Sequence, residues 1–83
     1  MKKDNLTGLL EYLVKSLVDK PEEVVIDSYE SGKTIHLELQ VDPDDIGRVI
    51  GKRGRVANAM RALLRVVAAR QGTQVAMDVV DFR

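Results

Sequence analysis

The fold of this chain is indicated most directly by eleven residues: Ile46-Gly47-Arg48-Val49-Ile50-Gly51-Lys52-Arg53-Gly54-Arg55-Val56. Two of the glycines, Gly51 and Gly54, lack the Cβ atoms that would prevent a tight reversal of the chain or the close approach of a ligand. The helix predicted to start at Arg55 offers unpaired amides and the positive end of its dipole, both of which suit phosphate oxygens. The segment is therefore a candidate anion-binding loop between two helices.

Periodic apolar patterns on both sides of this loop predict the other elements. In chain order they are a helix over residues 5–18, strands over 24–29 and 34–41, helices over 44–50 and 55–70, and a strand over 74–80. A turn at residues 30–33 makes the first two strands an antiparallel hairpin, and two helices allow a parallel crossover between the second and third. We expect an α+β fold of order α-β-β-α-α-β, with helices on one face of a three-stranded mixed sheet.

Single positions refine this expectation. Asp42 is expected to cap the short helix, and close packing is expected to compensate for Gly8 inside the first helix. On the long helix we expect five residues to form the core stripe: Val56, Met60, Leu63, Leu64 and Val67. Arg61 and Arg65 are expected on the opposite side. Small residues beside the stripe suggest a strip for contact with another protein: Ala59, Ala62, Val66 and Ala69.

Charge is distributed unevenly along the chain. The 13 basic and 13 acidic residues cancel, yet no acidic residue occurs between Ile46 and Met77. That window contains seven basic residues: Arg48, Lys52, Arg53, Arg55, Arg61, Arg65 and Arg70. Such asymmetry is typical of a polyanion site on an otherwise acidic surface, although solvated helix faces also carry basic residues.

The stretch Val49-Ile50-Gly51-Lys52-Arg53-Gly54 resembles the KH motif, in which I-G-x-x-G joins the two helices of a β-α-α-β core. The preceding helix and strand make the chain similar to type II KH domains, which are typical of bacteria. Gly51-Lys52-Arg53-Gly54-Arg55 resembles the loop of the KhpA family of small stand-alone KH proteins. The resemblance covers nearly the whole chain and implies one KH domain over residues 1–83 that needs no cofactor.

The resemblance implies an RNA-binding protein that holds about four nucleotides of single strand between the loop and an apolar groove. All eleven residues of the segment are then candidate RNA contacts. Lys52 and Arg53 would donate to phosphates, flanked by Arg48 and Arg55. An apolar wall for the bases would come from Ile46, Val49, Ile50 and Val56, beside Gly47. The resemblance also implies a post-transcriptional regulator or RNA chaperone linked to cell elongation and division.

Other functions fit the sequence less well. A P-loop would need Gly at Ile46 and a hydroxyl at Arg53, and a helix-turn-helix would not include the sheet or the two-glycine loop. With no Cys and a single His, we expect neither an enzyme nor a metal site, and the carboxylates of residues 42–45 are expected to serve helix capping. We also expect a cytoplasmic location. A protein-interaction module remains an alternative, and the resemblance implies a homodimer or a heterodimer with a larger KH-containing protein.

Overall fold

The computed structural model describes residues 5–80. Its elements are α1 (Asn5–Leu17), β1 (Val25–Ser31), β2 (Thr34–Gln40), α2 (Ile46–Ile50), α3 (Arg55–Arg70) and β3 (Gln74–Val79). Short 3-10 turns lie at Pro21–Glu23, Pro43–Asp45 and Lys52–Gly54. This order confirms the predicted α-β-β-α-α-β fold. No helix within residues 5–80 is both long enough and apolar enough to cross a bilayer.

The three strands form one mixed sheet in the order β1-β2-β3. Strands β1 and β2 are antiparallel and pair up to Ser31 and Thr34, so that the turn comprises only Gly32 and Lys33. This turn is tighter than the predicted four-residue turn, because Gly32 adopts a φ of 62°. Strands β2 and β3 are parallel, as predicted.

The two faces of the sheet differ in character. Leu37 and Leu39 of β2 and Met77 of β3 point into the core. There they join buried residues of the helices, among them Leu6, Leu10, Val14, Met60 and Leu64. Because side chains alternate along a strand, their neighbours point outward. The register places Asp27, Glu38 and Asp78 in one row across this outer face, which is therefore acidic.

The rotation of α3 about its axis differs from the expected one. Leu63 is 51% exposed and does not belong to the core, whereas the small residues Ala57 and Ala68 are buried. Arg61 turns toward the sheet, and its Nε donates to the Met77 carbonyl at 2.9 Å. The rotation of α3 is explained by its small residues, because the alanines at 57 and 68 allow the helix to approach the sheet closely. The expectation for Gly8 is also wrong, since a Cβ built there would meet no atom within 4 Å.

Candidate nucleic-acid interface

The loop between α2 and α3 turns through three residues with positive φ. Gly51 has φ 76° and ψ 175°, Arg53 has φ 57° and ψ 25°, and Gly54 has φ 76° and ψ 15°. Arg53 is the only non-glycine residue with positive φ among residues 5–80. This left-handed turn places Lys52 and Arg53 at the exposed tip, ahead of the first turn of α3.

The two glycines are required for different reasons. A Cβ on Gly51 would lie 2.5 Å from Val56 Cγ2 and 2.9 Å from the Val56 backbone nitrogen. A Cβ on Gly54 would meet nothing closer than Asn58 Nδ2 at 3.8 Å. Gly51 therefore permits close packing of the loop on α3, whereas Gly54 supplies only its backbone conformation.

Most amides of the loop are already engaged. The Gly51 amide donates to the Gly47 carbonyl at 2.9 Å, and the Gly54 amide donates to the Gly51 carbonyl at 3.2 Å. The Arg55 amide donates to the Lys52 carbonyl. The amides of Lys52 and Arg53 open the 3-10 turn and so have no acceptor within it. These two amides are the loop donors best placed for an anion.

The basic side chains of the segment fall into two groups. Within residues 5–80, Lys52, Arg53 and Arg55 are exposed and form no ion pair or side-chain hydrogen bond. Arg48 is committed instead: its Nη2 lies 3.0 Å from Asp19 Oδ2, and its Nε lies 3.2 Å from Asp45 Oδ1. The structure thus brings three of the four expected cations together as free donors and assigns the fourth to the scaffold.

The expected apolar wall is brought together only in part. Ile46, Ile50 and Val56 are partly buried and keep some surface at the loop. Val49 differs from the expectation because it is fully buried in the core and has no surface to offer a ligand. Gly47 is exposed, and a Cβ there would meet nothing within 4 Å, so this part of α2 is open to solvent.

Asp45 has a role that the sequence did not indicate. Asp42 caps the turn as predicted, since its Oδ1 accepts from the Asp44 amide at 2.9 Å. Asp45, in contrast, is only 1% exposed. Its two oxygens each accept a backbone hydrogen bond of 3.1 Å, from the amides of Asp19 and Lys20. Together with Arg48, it fastens the end of α1 to α2. In the sequence, the i, i+3 spacing of Asp45 and Arg48 was the one signal that indicated a contact between these two residues.

A second contact holds the same junction from outside. Lys20 Nζ lies 3.5 Å from Asp42 Oδ2 and 3.7 Å from Asp44 Oδ2. The charge of Asp42 and its hydrogen bond raise the pKa of Lys20 above the ordinary 10.5, and Asp44 adds to the shift. Because the folded-state pKa is raised, the pair contributes to stability below pH 10.5 and loses its effect as the pH rises through the shifted value.

A cavity of about 230 Å³ lies where α3 meets the free edge of β3. Its lining includes Arg61, Leu64 and Arg65 from the helix and Val75, Met77 and Asp78 from the strand. The apolar pattern of α3 did not indicate this cavity, because it predicted Arg61 and Arg65 on the side of the helix opposite the core stripe. The sequence pattern does not give the rotation of α3 relative to β3, and this rotation decides where the two arginines lie.

Comparison with known proteins gives consistent results. The model of the KhpA/KhpB KH domain matches residues 7–79. An RNA-binding protein KhpA from Borreliella burgdorferi is 45% identical over 93% of this chain and 94% of its own length. Proteins of the same name from Chlamydia trachomatis and Halalkalibacterium halodurans are 46% and 41% identical, over 89% and 88% of this chain and 95% and 96% of their own lengths.

These matches decide between the classes of protein considered from the sequence. They cover the loop, both flanking helices and all three strands, and the identities are well above those at which only a fold is shared. The matched family comprises KH proteins and not enzymes, which confirms the expectation of a non-catalytic protein. The chain belongs to the KhpA/KhpB family of KH domains.

Proposed function

We propose that this protein binds single-stranded RNA at the Gly51–Gly54 loop. The observation that carries the proposal is a group of three exposed cations, Lys52, Arg53 and Arg55, that have no ion-pair partner among residues 5–80 and surround a loop that leaves two amides open. A phosphate would accept hydrogen bonds from the Lys52 and Arg53 amides, while their side chains supply charge. The name RNA-binding protein KhpA of the relatives supports the same ligand.

The neighbouring surface suits the bases of such a strand. Ile46, Ile50 and Val56 offer aliphatic contact beside the loop, and Gly47 leaves room for a sugar or base to approach α2. Contacts to phosphates carry no sequence information, so the loop by itself would bind many sequences. On the resemblance to the KhpA family we also propose a cytoplasmic post-transcriptional regulator or RNA chaperone, with a link to cell elongation and division.

The test of this proposal is charge reversal at the tip of the loop. Replacing Lys52→Asp and Arg53→Asp together should lower the affinity for a labelled single-stranded RNA by about two orders of magnitude at low salt, since two charge-assisted contacts worth about 1.5 kcal/mol each are lost. The fold should remain intact because both side chains are exposed and form no side-chain contact of this kind with any described residue. Fluorescence anisotropy measures the affinity, and circular dichroism confirms the fold.

A matched control is Lys33→Asp with Arg70→Asp, which changes the net charge equally at exposed positions outside the loop. The control should bind RNA much more tightly than the loop variant. Its affinity should fall with salt by about 0.7 log units per phosphate contact per log unit of salt, as for the wild type, and the loop variant should have a shallower slope. A folded loop variant that binds RNA as the control does would disprove the assignment.

A second function, protein association, is favoured by one further observation. Leu63 and Val66 on the outer face of α3 are 51% and 57% exposed. Ala59, Ala62 and Ala69 are exposed on the same helix. Together these five residues form an apolar strip, named here the α3 strip, which extends between Arg55 and Arg70. We propose that the α3 strip mediates a homodimer or a heterodimer with a larger KH-containing protein.

A further inference from the structure

Strand β1 forms one outer edge of the sheet, and its backbone has open hydrogen-bonding groups there. The carbonyls of Lys33 and Leu39 accept from β3, so the odd-numbered residues of β2 bond to β3 and the even-numbered ones bond to β1. The partners of these even-numbered residues in β1 are themselves odd-numbered. The amides and carbonyls of Ile26, Ser28 and Glu30 therefore point to the free edge.

This edge lacks the features that usually prevent pairing with another chain. Natural edge strands are commonly guarded by lysine, proline or a bulge. Strand β1 contains neither lysine nor proline, and its seven residues pair with β2 without a break from Val25 to Ser31. Six of the seven are exposed, and among residues 5–80 no further strand pairs with them. The edge is therefore a regular template for one more strand.

The charge of β1 indicates which strand would fit. Its only charged residues are Asp27 and Glu30, and Asp27 lies opposite Glu38 of β2. No basic residue occurs over residues 21–32. Two copies of the chain paired through β1 would bring four carboxylates together, and like charges on adjacent strands are destabilising. A strand with basic residues would form opposite-charge pairs instead.

An aromatic pair adjoins these carboxylates on the outer face of the sheet. Tyr29 of β1 lies opposite His36 of β2, and their rings stack with centroids 4.7 Å apart and planes 8° from parallel. That separation matches the spacing of neighbouring strands, so the second face of the Tyr29 ring is turned toward the free edge. The side chain is 52% exposed. A guanidinium stacks well on such a ring.

We propose that the free edge of β1 binds an extended segment of another protein as a fourth strand, and that this segment carries arginine on the side of the outer face. Backbone bonds to Ile26, Ser28 and Glu30 supply affinity. An arginine beside Tyr29 continues the stack at the strand spacing of about 4.8 Å. A basic residue beside Asp27 forms an opposite-charge pair. The loop is not part of this surface, so the proposal does not depend on RNA binding.

The first experiment measures amide hydrogen exchange, resolved by residue, with a decapeptide of alternating arginine and threonine. The peptide should slow exchange about tenfold or more at Ile26, Ser28 and Glu30, whose amides face the edge. The amides of Asp27 and Tyr29 already bond to β2 and should change much less. A decapeptide of alternating glutamate and threonine is the matched control and should slow none of them.

A proline at the edge tests the backbone contribution. Ser28→Pro removes one open donor and leaves the bonds to β2 in place, since an edge strand accommodates proline where its nitrogen faces outward. It should lower the affinity for the labelled arginine peptide about tenfold, as measured by fluorescence anisotropy. Ser28→Ala keeps the amide and should bind as the wild type does. Circular dichroism checks the fold of both variants.

Charge reversal tests the side-chain contribution with an independent variant. Asp27→Lys with Glu30→Lys should also weaken binding of the arginine peptide about tenfold. This variant should fold, because a lysine at position 27 would lie opposite Glu38. The control is Glu22→Lys with Glu23→Lys, which makes the same change of charge in the exposed turn before the strand. It should bind the peptide much more tightly than the strand variant does.

Three results would overturn the proposal: equal binding of the arginine and glutamate peptides, equal affinities of Ser28→Pro and Ser28→Ala, or protection confined to amides outside β1. Protection of Ile26, Ser28 and Glu30 on raising the protein concentration alone would assign the edge to a second copy instead. The same protection on addition of hexauridine, without any effect of the arginine peptide, would assign it to RNA.

Discussion

Gly51 and Gly54 share a left-handed backbone but differ in their surroundings. At Gly51 an added Cβ would overlap Val56 Cγ2 and press on the Val56 backbone, which cannot move without disturbing α3. At Gly54 an added Cβ has space, and only the φ of 76° is unfavourable. The two positions therefore separate steric cost from conformational cost within one loop.

Gly51→Ala should lower the free energy of unfolding by about 2–4 kcal/mol, because strain at positive φ and overpacking combine. Gly54→Ala should lower it by only about 1–2 kcal/mol. Urea denaturation of both variants measures the difference. Equal losses would mean that the contact with Val56 is easily relieved.

Gly47 offers a test of function without a structural cost. A Cβ built there would meet nothing within 4 Å, and the position is exposed, so Gly47→Gln should raise the free energy of unfolding by up to about 1 kcal/mol through helix propensity. It should weaken RNA binding by about 1–2 kcal/mol, because the new side chain occupies the space beside the loop. Gly8→Gln, at another exposed helical position on α1, is the control and should leave RNA affinity unchanged. Equal RNA affinities for the two variants would show that the strand does not approach α2.

The junction between α1 and α2 depends on one buried carboxylate. Asp45 binds the amides that follow α1 and also binds Arg48, so the short helix α2 is oriented by an element that is distant in sequence. A helix of five residues has little stability of its own, and this anchoring gives the loop after it a defined position.

Asp45→Asn should reduce the free energy of unfolding by about 2–4 kcal/mol, because an amide group would face a backbone donor and Arg48 would lose its buried partner. The control is Asp44→Asn, where the carboxylate is 85% exposed and lies 3.7 Å from Lys20. That change should stay within about 0.5 kcal/mol. Denaturant unfolding of both proteins decides the matter, and similar stabilities would contradict the anchoring role.

The order and type of the elements could be predicted from local pattern, as could the Asp42 cap and the loop glycines. The contact of Arg48 with Asp19 could not, because Asp19 lies 29 residues away in sequence and meets Arg48 only through the packing of α1. Leu63 and Leu64 are adjacent apolar residues on one helix, and a 3.6-residue period does not tell which of them faces the sheet. Small residues, Ala57 and Ala68, decide that rotation, and they carry almost no hydrophobic signal.

The whole molecule combines a basic segment with an apolar strip and an acidic sheet face. The basic loop lies at the start of α3, and the α3 strip extends along the outer side of that helix. Protein association through the strip would therefore leave the tip of the loop uncovered. The two proposed functions are compatible in one molecule.

Leu63→Glu with Val66→Glu should abolish self-association, because two carboxylates would face the apolar surface of the partner. Both side chains are more than half exposed, so the stability of the monomer should change little. Tyr12→Glu with Val25→Glu, which are 71% and 48% exposed on other surfaces, is the matched control. Sedimentation velocity across concentrations should show dimer for the control and monomer for the strip variant. A wild type that stays monomeric at high concentration would count against the homodimer.

The row of Asp27, Glu38 and Asp78 on the outer face of the sheet has an effect beyond a single molecule. If several copies coat one RNA through their loops, Asp27 and Glu38 lie on the sheet face opposite the helices that carry the loop. When two RNA strands coated in this way approach each other, their acidic sheet faces would carry like charges and repel one another.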